Sequence, residues 1–393
     1  MSKSKKKKLK SKYIFSRVLA LFIIGLTIFG CFFYKIEKVN DYSEDDDITN
    51  TDVLPESSSV SLVMVGDALI HSAVYNDARV GDTYDFKPML EIMKPIISKY
   101  DLAYYNQETI LGGKELGLST YPRFNSPYEL GDDFLDTGFN IVSMANNHTL
   151  DRGEVALNNS CNYWKTKNVY TAGSYCSNES RDEVKIFEKN GIKYAMLSYT
   201  TTTNGIRVPN GKDYYVNVYS DEKAKADIEK YRDKVDLLLV AMHWGQEYTH
   251  KPINKQIQIA NYLSSLGVDI IIGAHPHVVE PVEKIGDTLV IYSLGNFISA
   301  QVGINKLTGL MVSVNVNKNN TTGDVTIDDV EVELLHTYYG KDPDKKRNFK
   351  VYPYTMLNDT ILPDHEKYYN EYMNIVTGDK DWIKRGDYSG NIK

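Results

Sequence analysis

The fold is decided at residues 270–277, which read IIIGAHPH. A continuous apolar run of this kind predicts a strand that is covered on both faces of a sheet. Two histidines follow directly, one on each side of Pro276, and a residue before proline is restricted to extended backbone. Packing alone does not readily explain two histidines, His275 and His277, directly after a buried strand, whereas imidazoles are common metal ligands. The stretch therefore predicts a buried parallel strand that ends at a metal site.

The same pattern, an apolar run followed by metal-ligating side chains, occurs five times along the chain. The apolar runs are residues 61–65, 102–105, 141–144, 237–242 and 270–273. The side chains that follow them are Asp67 and, further on, His71; Asn106 and Glu108; Asn146, Asn147 and His148; His243; and His275 and His277. In open α/β sheets ligands bind beyond the carboxyl ends of the strands, so these side chains are predicted to converge.

Carboxylates, amides and imidazoles without a thiolate suit two divalent ions such as Mn, Zn, Fe or Mg. Each residue taken singly has a simpler explanation. Asp67 can cap a helix, Asn147 can bridge a turn, and His243 can be a hydrogen-bonded structural histidine. The prediction of a metal centre therefore depends on the whole set.

Alternation of apolar runs with amphipathic stretches predicts an α/β fold. Helices are predicted at residues 88–99, 128–136, 153–167, 222–232 and 254–266, and a further strand at 194–199. Residues 288–292, 309–315 and 325–334 alternate polar and apolar side chains between turn signals. These later segments are expected to form an antiparallel portion that flanks or completes a second sheet.

The N-terminal region has the pattern of a membrane anchor. Residues 1–17 are rich in lysine, and residues 18–34 read VLALFIIGLTIFGCFFY, which is about the length needed to cross a bilayer. Basic residues before such a segment stay in the cytoplasm, so the rest of the chain faces outward. We assign residues 1–17 to a cytoplasmic tail, 18–35 to one transmembrane helix and 36–59 to an acidic, solvated stalk. The predicted location is the cell membrane, single-pass, with the domain on the extracellular side.

A cleaved or lipidated signal peptide is the alternative, since residues 28–31 resemble a lipoprotein cleavage box. Phe29 is bulky where a small residue is expected, and the apolar run continues beyond Cys31, which favours the uncleaved anchor. Cys161 and Cys176 can pair across a short loop in an oxidising compartment. Three cysteines form neither a disulfide framework nor a thiolate metal site.

Charge is unevenly distributed along the 393 residues. Residues 1–35 hold nine of the 45 basic residues and no acidic one, so the remainder holds 36 basic against 52 acidic residues. A body of this charge does not bind nucleic acid by bulk electrostatics, because phosphates need a basic surface. Divalent cations suit it, since their own charge offsets the local acidity.

Four long blocks make a family resemblance specific: residues 145–153, 243–248, 273–278 and 292–297. Shorter blocks at residues 66–67, 106–109, 124–127 and 138–140 match the remaining blocks of the same family, in the same order along the chain. The chain resembles the CapA family, which is associated with poly-γ-glutamate capsule synthesis in bacteria and is similar to calcineurin-like metallophosphoesterases. The resemblance implies a four-layer αββα sandwich over residues 60–340, with 341–393 as a C-terminal extension.

The resemblance also implies roles for the ligand set. Asp67 and His277 would hold one metal, Glu108 would bridge, and Asn147, His243 and His275 would hold the other. His148 would donate a proton to the leaving group, oriented by Asp151, because a catalytic imidazole needs a partner that sets its tautomer. Further possible site residues are His71, Asn106, Asn146, Glu247 and Asn296. The superfamily's first motif is Asp-x-His, whereas His71 lies four positions after Asp67, so its part in the site is open.

The resemblance implies action on poly-γ-glutamate or another anionic polymer, beside other capsule-synthesis membrane proteins. Two alternatives remain open at the level of sequence. One is a metal-dependent phosphoesterase or amide hydrolase unrelated to capsule. The other is a non-catalytic scaffold for polymer assembly or export.

Overall fold

The computed structural model describes residues 55–340, 342 and 345–391. In chain order the strands are β1 (Ser57–Leu69), β2 (Arg79–Val80), β3 (Thr83–Tyr84), β4 (Leu102–Asn106), β5 (Ile141–Ser143), β6 (Tyr170–Ala172), β7 (Phe187–Lys189), β8 (Ile192–Thr200), β9 (Leu237–His243), β10 (Ile270–Ala274), β11 (Val282–Ile285), β12 (Thr288–Ile291), β13 (Asn296–Ser299), β14 (Thr308–Asn319), β15 (Val325–Tyr338), β16 (Lys350–Pro353) and β17 (Lys384–Arg385).

The α-helices of the described residues alternate with these strands. They are α1 (Ser72–Asp77), α2 (Lys87–Leu90), α3 (Lys94–Ile97), α4 (Tyr128–Thr137), α5 (Gly153–Lys165), α6 (Asn178–Asp182), α7 (Asp221–Tyr231), α8 (Asn254–Ser265), α9 (Ile304–Leu307) and α10 (His365–Thr377).

Two large sheets form the framework. The first has the strand order β16-β15-β14-β1-β4-β5-β6, with β13 paired to β1 and β17 paired to β15. In it β1, β4, β5 and β6 are parallel, whereas β14 is antiparallel to β1, β15 to β14 and β16 to β15. The short β17 is parallel to β15. The second has the order β11-β12-β10-β9-β8-β7, and its β8, β9, β10 and β12 are parallel. β2 and β3 form a separate hairpin.

Alternate side chains along β1 belong to two different hydrophobic cores, which shows how the layers pack. Leu62 and Met64 belong to the main core, which also contains residues 237–242 of β9 and 270–272 of β10, so part of this core lies between the sheets. Val63 and Val65 belong to a second core that contains Leu130 of α4. Successive side chains of a strand point to opposite faces, so β1 contributes to both cores.

Helices cover the outer faces of both sheets. α4 and α5 contribute buried side chains to the second core, against the first sheet. α7 and α8 contribute Ala224, Ile228, Ile259 and Leu263 to the main core beside the second sheet. Every residue of β9 and β10 is buried, as expected for strands covered on both faces.

Two predictions about secondary structure need correction. The helix predicted at residues 88–99 is two short helices, α2 and α3. Pro95 lies in the first turn of α3, where its missing N–H is tolerated, whereas inside one long helix its ring would clash with the preceding turn. β14 and β15, expected to flank or complete a second sheet, extend the first sheet instead because β14 pairs antiparallel with β1.

Residues beyond 341 also contribute to the framework. β16 and β17 both pair with β15. α10 places Met373 and Val376 in the main core. Within the described part of the chain, Cys161 and Cys176 form a disulfide with a Cα–Cα distance of 5.7 Å.

The predicted membrane anchor lies outside the described residues. Among the helices of residues 55–340, 342 and 345–391, none is both long enough and apolar enough to cross a membrane.

Candidate metal centre

The carboxyl ends of parallel strands from both sheets meet at one site. Asp67 lies near the end of β1, and Asn106 and His243 end β4 and β9. His275 directly follows β10, and Glu108 lies two residues beyond β4. The rule that ligands bind beyond the carboxyl ends of parallel strands, which we call the strand-end rule, predicted these residues. Here the strands that converge come from two sheets and not from one.

A close backbone approach brings Asp67 to the site. The Asp67 N–H donates to the Gly295 carbonyl oxygen at 2.9 Å, and Asp67 is paired with Asn296 where β1 meets β13. A side chain on Gly66 would collide with the Gly295 carbonyl oxygen. Glycine at position 66 is thus required for the contact between β1 and the turn before β13.

Three side chains form the first potential ligand group: Asp67, Glu108 and His277. His277 Nδ1 lies 3.3 Å from an Asp67 carboxylate oxygen, and His277 Nε2 lies 3.7 Å from Glu108 Oε1. Asn106 donates to Asp67 Oδ1 at 2.8 Å, and Asn296 Oδ1 lies 3.0 Å from His277 Nδ1. Asn106 and Asn296, both predicted as possible site residues, orient this group.

The second potential ligand group is Glu108, His243 and His275. His243 Nε2 lies 3.7 Å from Glu108 Oε1 and 2.9 Å from Asn147 Oδ1. Asn147 Oδ1 and His243 Nε2 are therefore close enough to bind the same cation. Glu108 belongs to both groups, which is the position that a bridging carboxylate would need.

Buried polar atoms without partners test whether a cation fits. Glu108 is 0% exposed, and neither of its carboxylate oxygens has a hydrogen-bond partner. Asn106 Oδ1 and His275 Nδ1 are also buried and unpaired. A buried carboxylate is costly unless a positive charge compensates it. Acceptor atoms of this kind, gathered around one point, fit divalent metal ions.

Titration behaviour agrees with a site that requires positive charge. Burial raises the pKa of Glu108 well above its usual range. Burial lowers the pKa of His243 well below 6.5, and burial together with His277 lowers that of His275 to about 4. Burial alone would lower the pKa of His277, but Glu108 and Asp67 raise it to about 9. The carboxylates around His277 thus favour positive charge at this point, which a divalent cation would also supply.

The backbone of the His-Pro-His segment differs from the extended geometry predicted for it. His275 has φ +100° and His277 has φ +58°, both in the left-handed region. Such conformations cost about 1–3 kcal/mol each in residues other than glycine, and they cluster at functional sites. With this backbone, His277 Nε2 lies 3.7 Å from Glu108 Oε1, and His275 belongs to a potential ligand group with the same Glu108.

His148 and Asp151 form a buried pair beside the ligand groups. His148 Nδ1 lies 2.7 Å from Asp151 Oδ2, and the same oxygen accepts the Phe124 N–H at 2.7 Å. Both side chains line an open cleft of about 460 Å³ together with Asn147. We call this cavity the site cleft.

The remaining predicted residues have different positions. Asn146 donates to the Gln107 carbonyl oxygen and accepts the His148 N–H, so it supports the loop that carries His148. Glu247 is exposed and forms a third potential ligand group with His275 and His277. His71 belongs to none of the three groups found among the described residues. Its Nδ1 instead lies 3.1 Å from the Leu69 carbonyl oxygen.

Sequence reasoning missed several residues of the site cleft. Asn204 accepts a hydrogen bond from Asn147 at 3.3 Å, and Tyr121, Arg123 and Tyr248 line the cleft wall. They lie in loops, where no hydrophobic period marks them. Two signals were available: the block at residues 243–248, which ends at Tyr248, and the block at residues 124–127, which lies next to Arg123.

The fold and the site define a class: a two-sheet α/β protein with a buried histidine–carboxylate centre that could hold divalent metal ions. The family described as "Bacterial capsule synthesis protein PGA_cap" matches residues 61–301. The chain belongs to this family, which confirms the resemblance drawn from the motifs.

Similar proteins include the PGA biosynthesis protein CapA of Bacillus subtilis (strain 168), 26% identical over 340 residues that span 82% of this chain and 81% of the relative. The capsule biosynthesis protein CapA of Bacillus anthracis is 24% identical over 278 residues, 68% of this chain and 66% of the relative. Among solved structures, the calcineurin-like phosphoesterase YfkN from Bacillus subtilis aligns with a TM-score of 0.43 at 13% identity, over 71% of this chain and 90% of that chain.

Proposed function

We propose that this chain is a membrane-anchored, extracellular protein of poly-γ-glutamate capsule biosynthesis, with a four-layer αββα domain of the metallophosphoesterase type that hydrolyses a bond of the anionic polymer. Membership of the capsule synthesis family supports the pathway. The basic tail followed by the apolar run at residues 18–34 supports the anchor and the outward orientation. Other capsule-synthesis membrane proteins are the expected partners.

The observation that carries the proposal is the position of Glu108, shared by two ligand groups and without any hydrogen bond to its carboxylate. Two divalent cations, when bound, would polarise the oxygen of the scissile group and acidify an attacking water. The side chains that would hold them are Asp67 and His277 for one, His243, His275 and Asn147 for the other, and Glu108 for both.

His148 is placed to move a proton. Its Nδ1 is engaged by Asp151 at 2.7 Å, which leaves Nε2 as the nitrogen that can exchange a proton with substrate in the site cleft. Asp151 is held in turn by the Phe124 N–H, so the imidazole has a fixed orientation. Protonation of the leaving group by a positioned imidazole is worth about 10²–10⁴-fold in rate.

Metal content and turnover of the full-length chain test the proposal together. Two metal ions per chain are expected, with release of products from γ-glutamyl oligomers. His148→Ala is expected to retain the metals and lose turnover by about 10²–10⁴-fold. A matched control is His365→Ala in α10, because His365 pairs with exposed Asp359 and is not among the potential ligands. The control is expected to keep both properties.

Two outcomes would contradict the proposal in different ways. Turnover of a model phosphoester but of no γ-glutamyl oligomer would favour a phosphoesterase unrelated to capsule. Two bound metals without turnover of either substrate would favour a scaffold for polymer assembly or export.

A further inference from the structure

A second cavity of about 630 Å³ lies along α1, outside the potential ligand groups. It is lined by Ser72, Ala73, Asn76, Asp77, Lys345, Lys346 and Arg347. We call it the basic pocket, because three of its seven lining residues are basic although the chain beyond residue 35 is acidic overall. A locally basic surface on an otherwise acidic domain attracts anions, so the pocket is a candidate anion-binding site.

The basic pocket lies next to the site cleft. Ser72 lines the pocket, and its N–H donates to Thr120 Oγ1 at 3.2 Å. The next residue, Tyr121, lines the cleft. The Phe124 ring packs between the two cavities. It contacts His71, the residue before Ser72, with a centroid distance of 5.3 Å, and the cleft residue His148 with 4.7 Å. The wall of the pocket at Ser72 therefore contacts the segment that carries the cleft residue Tyr121.

The acidic side chain of the pocket is already engaged. The Asp77 carboxylate accepts the N–H groups of Asn348 and Phe349 at 3.0 and 2.9 Å. These bonds tie the basic loop to the end of α1. Lys346 Nζ donates to the Ala300 carbonyl oxygen at 2.5 Å and lies 5.0 Å from the Tyr339 ring centroid. The Arg347 N–H also donates to the Tyr339 carbonyl oxygen at 3.3 Å, so the loop is held in place without using the Arg347 side chain.

Two guanidinium groups remain for a ligand, one in each cavity. Among residues 55–340, 342 and 345–391, the side chains of Arg123 and Arg347 form neither a hydrogen bond nor an ion pair. Arg123 lines the site cleft with Tyr121, which is 71% exposed, and with the exposed Glu247. Glu247 would repel an anion unless it binds metal, which leaves Arg123 as the cationic contact in the cleft.

We propose that the basic pocket binds carboxylates of a linear polycarboxylate whose scissile bond lies at the metal centre, with Arg123 contacting a carboxylate next to that bond and Arg347 contacting carboxylates further along. The planar guanidinium matches a carboxylate with two parallel hydrogen bonds. The substrate class is therefore a polymer bound at several residues, and a single γ-glutamyl unit occupies the site cleft alone. This inference rests on the proposed function, which it extends to a second binding site.

Ligand length separates the two cavities experimentally. Binding of fluorescent γ-glutamate dimers and 20-mers is measured on the full-length, metal-loaded chain carrying His148→Ala, so that no turnover is needed. Adding Arg347→Ala is expected to weaken binding of the 20-mer about tenfold, as a lost charged hydrogen bond does, and to leave the dimer unchanged. Arg123→Ala is expected to weaken both ligands. Arg347→Lys is expected to retain part of the affinity because it keeps the charge.

The control is Arg385→Ala on β17, which removes an exposed arginine that lines neither cavity. Unchanged 20-mer affinity in Arg347→Ala would overturn the inference, and so would equal affinity for a 20-mer whose carboxylates are methyl esters. These results are independent of hydrolysis. If Arg347→Ala binds the 20-mer more weakly but the wild-type chain hydrolyses no substrate, the inferred binding site is supported and the proposed hydrolase activity is contradicted.

Discussion

Replacing Glu108 by glutamine is expected to change the stability of the protein in opposite directions with and without metal. Without metal, the carboxyl is fully buried and its oxygens have no hydrogen-bond partner. Burial raises the pKa of Glu108, so keeping it ionised destabilises the fold, and removing the charge relieves that penalty. With metal, Glu108 belongs to both potential ligand groups, so the variant weakens both sites.

The size of the effect follows from ligand linkage. A metal at 100 times its Kd stabilises the fold by about 2.7 kcal/mol per site. Changing an outer partner of a metal ligand already costs about 10–100-fold in affinity, and a shared ligand is expected to reach at least the upper value. A 100-fold loss leaves about 0.4 kcal/mol per site, so two sites lose about 5 kcal/mol. At about 2 °C per kcal/mol, the metal-loaded Tm falls by about 10 °C.

The assay is thermal unfolding of the wild type and the variant, in chelator and in excess Mn²⁺. The matched control is Glu280→Gln, since Glu280 is also fully buried with one unpaired oxygen but belongs to none of the potential ligand groups. Its response to metal is expected to equal that of the wild type. A Glu108→Gln chain that gains as much Tm from Mn²⁺ as the wild type would refute the shared-ligand reasoning.

Two further predictions concern titration and catalysis. Burial raises the pKa of Glu280 from 4.5 to about 8, so the folded chain keeps a proton that the unfolded chain loses, and stability falls as pH rises through this window. Glu280→Gln is therefore expected to raise the free energy of unfolding more at pH 8.5 than at pH 5, measured by urea unfolding; an equal gain at both pH values would contradict the assigned burial. Asp151→Asn is expected to lower turnover by about 10²–10⁴-fold while metal content stays at the wild-type level, because Asp151 touches His148 and no ligand group. A loss of metal from that variant would argue against the assignment of Asp151 as a positioning residue.

Much of the framework could be predicted from local pattern. β9 and β10 are continuous apolar runs, and such runs are read directly as strands buried on both faces. The sheet to which β14 and β15 belong could not be read in this way. Alternation shows which face of a strand is apolar but does not identify its neighbour, and the pairing of β14 with β1 depends on contacts between distant segments.

The candidate site shows the same division. Asp67, Glu108 and His243 were located because each follows an apolar run, and the strand-end rule predicted that they meet. His71 also follows the first apolar run, but its spacing from Asp67 left its part open, and its ring lies beside Phe124 outside the ligand groups. The position of Arg347 depends on contacts between distant segments, since hydrogen bonds from Asn348 and Phe349 to Asp77 and from Lys346 to Ala300 hold its loop.

The amino-acid sequence by itself determined which chemical groups are available and where each strand presents them, because hydrophobic runs and the residues that end them are local properties. The tertiary structure alone decided that Glu108 is shared, that His275 and His277 turn inward, and that a basic loop lies beside the site cleft. These features depend on strand register, on backbone strain that only surrounding contacts can maintain, and on hydrogen bonds between residues far apart in the chain.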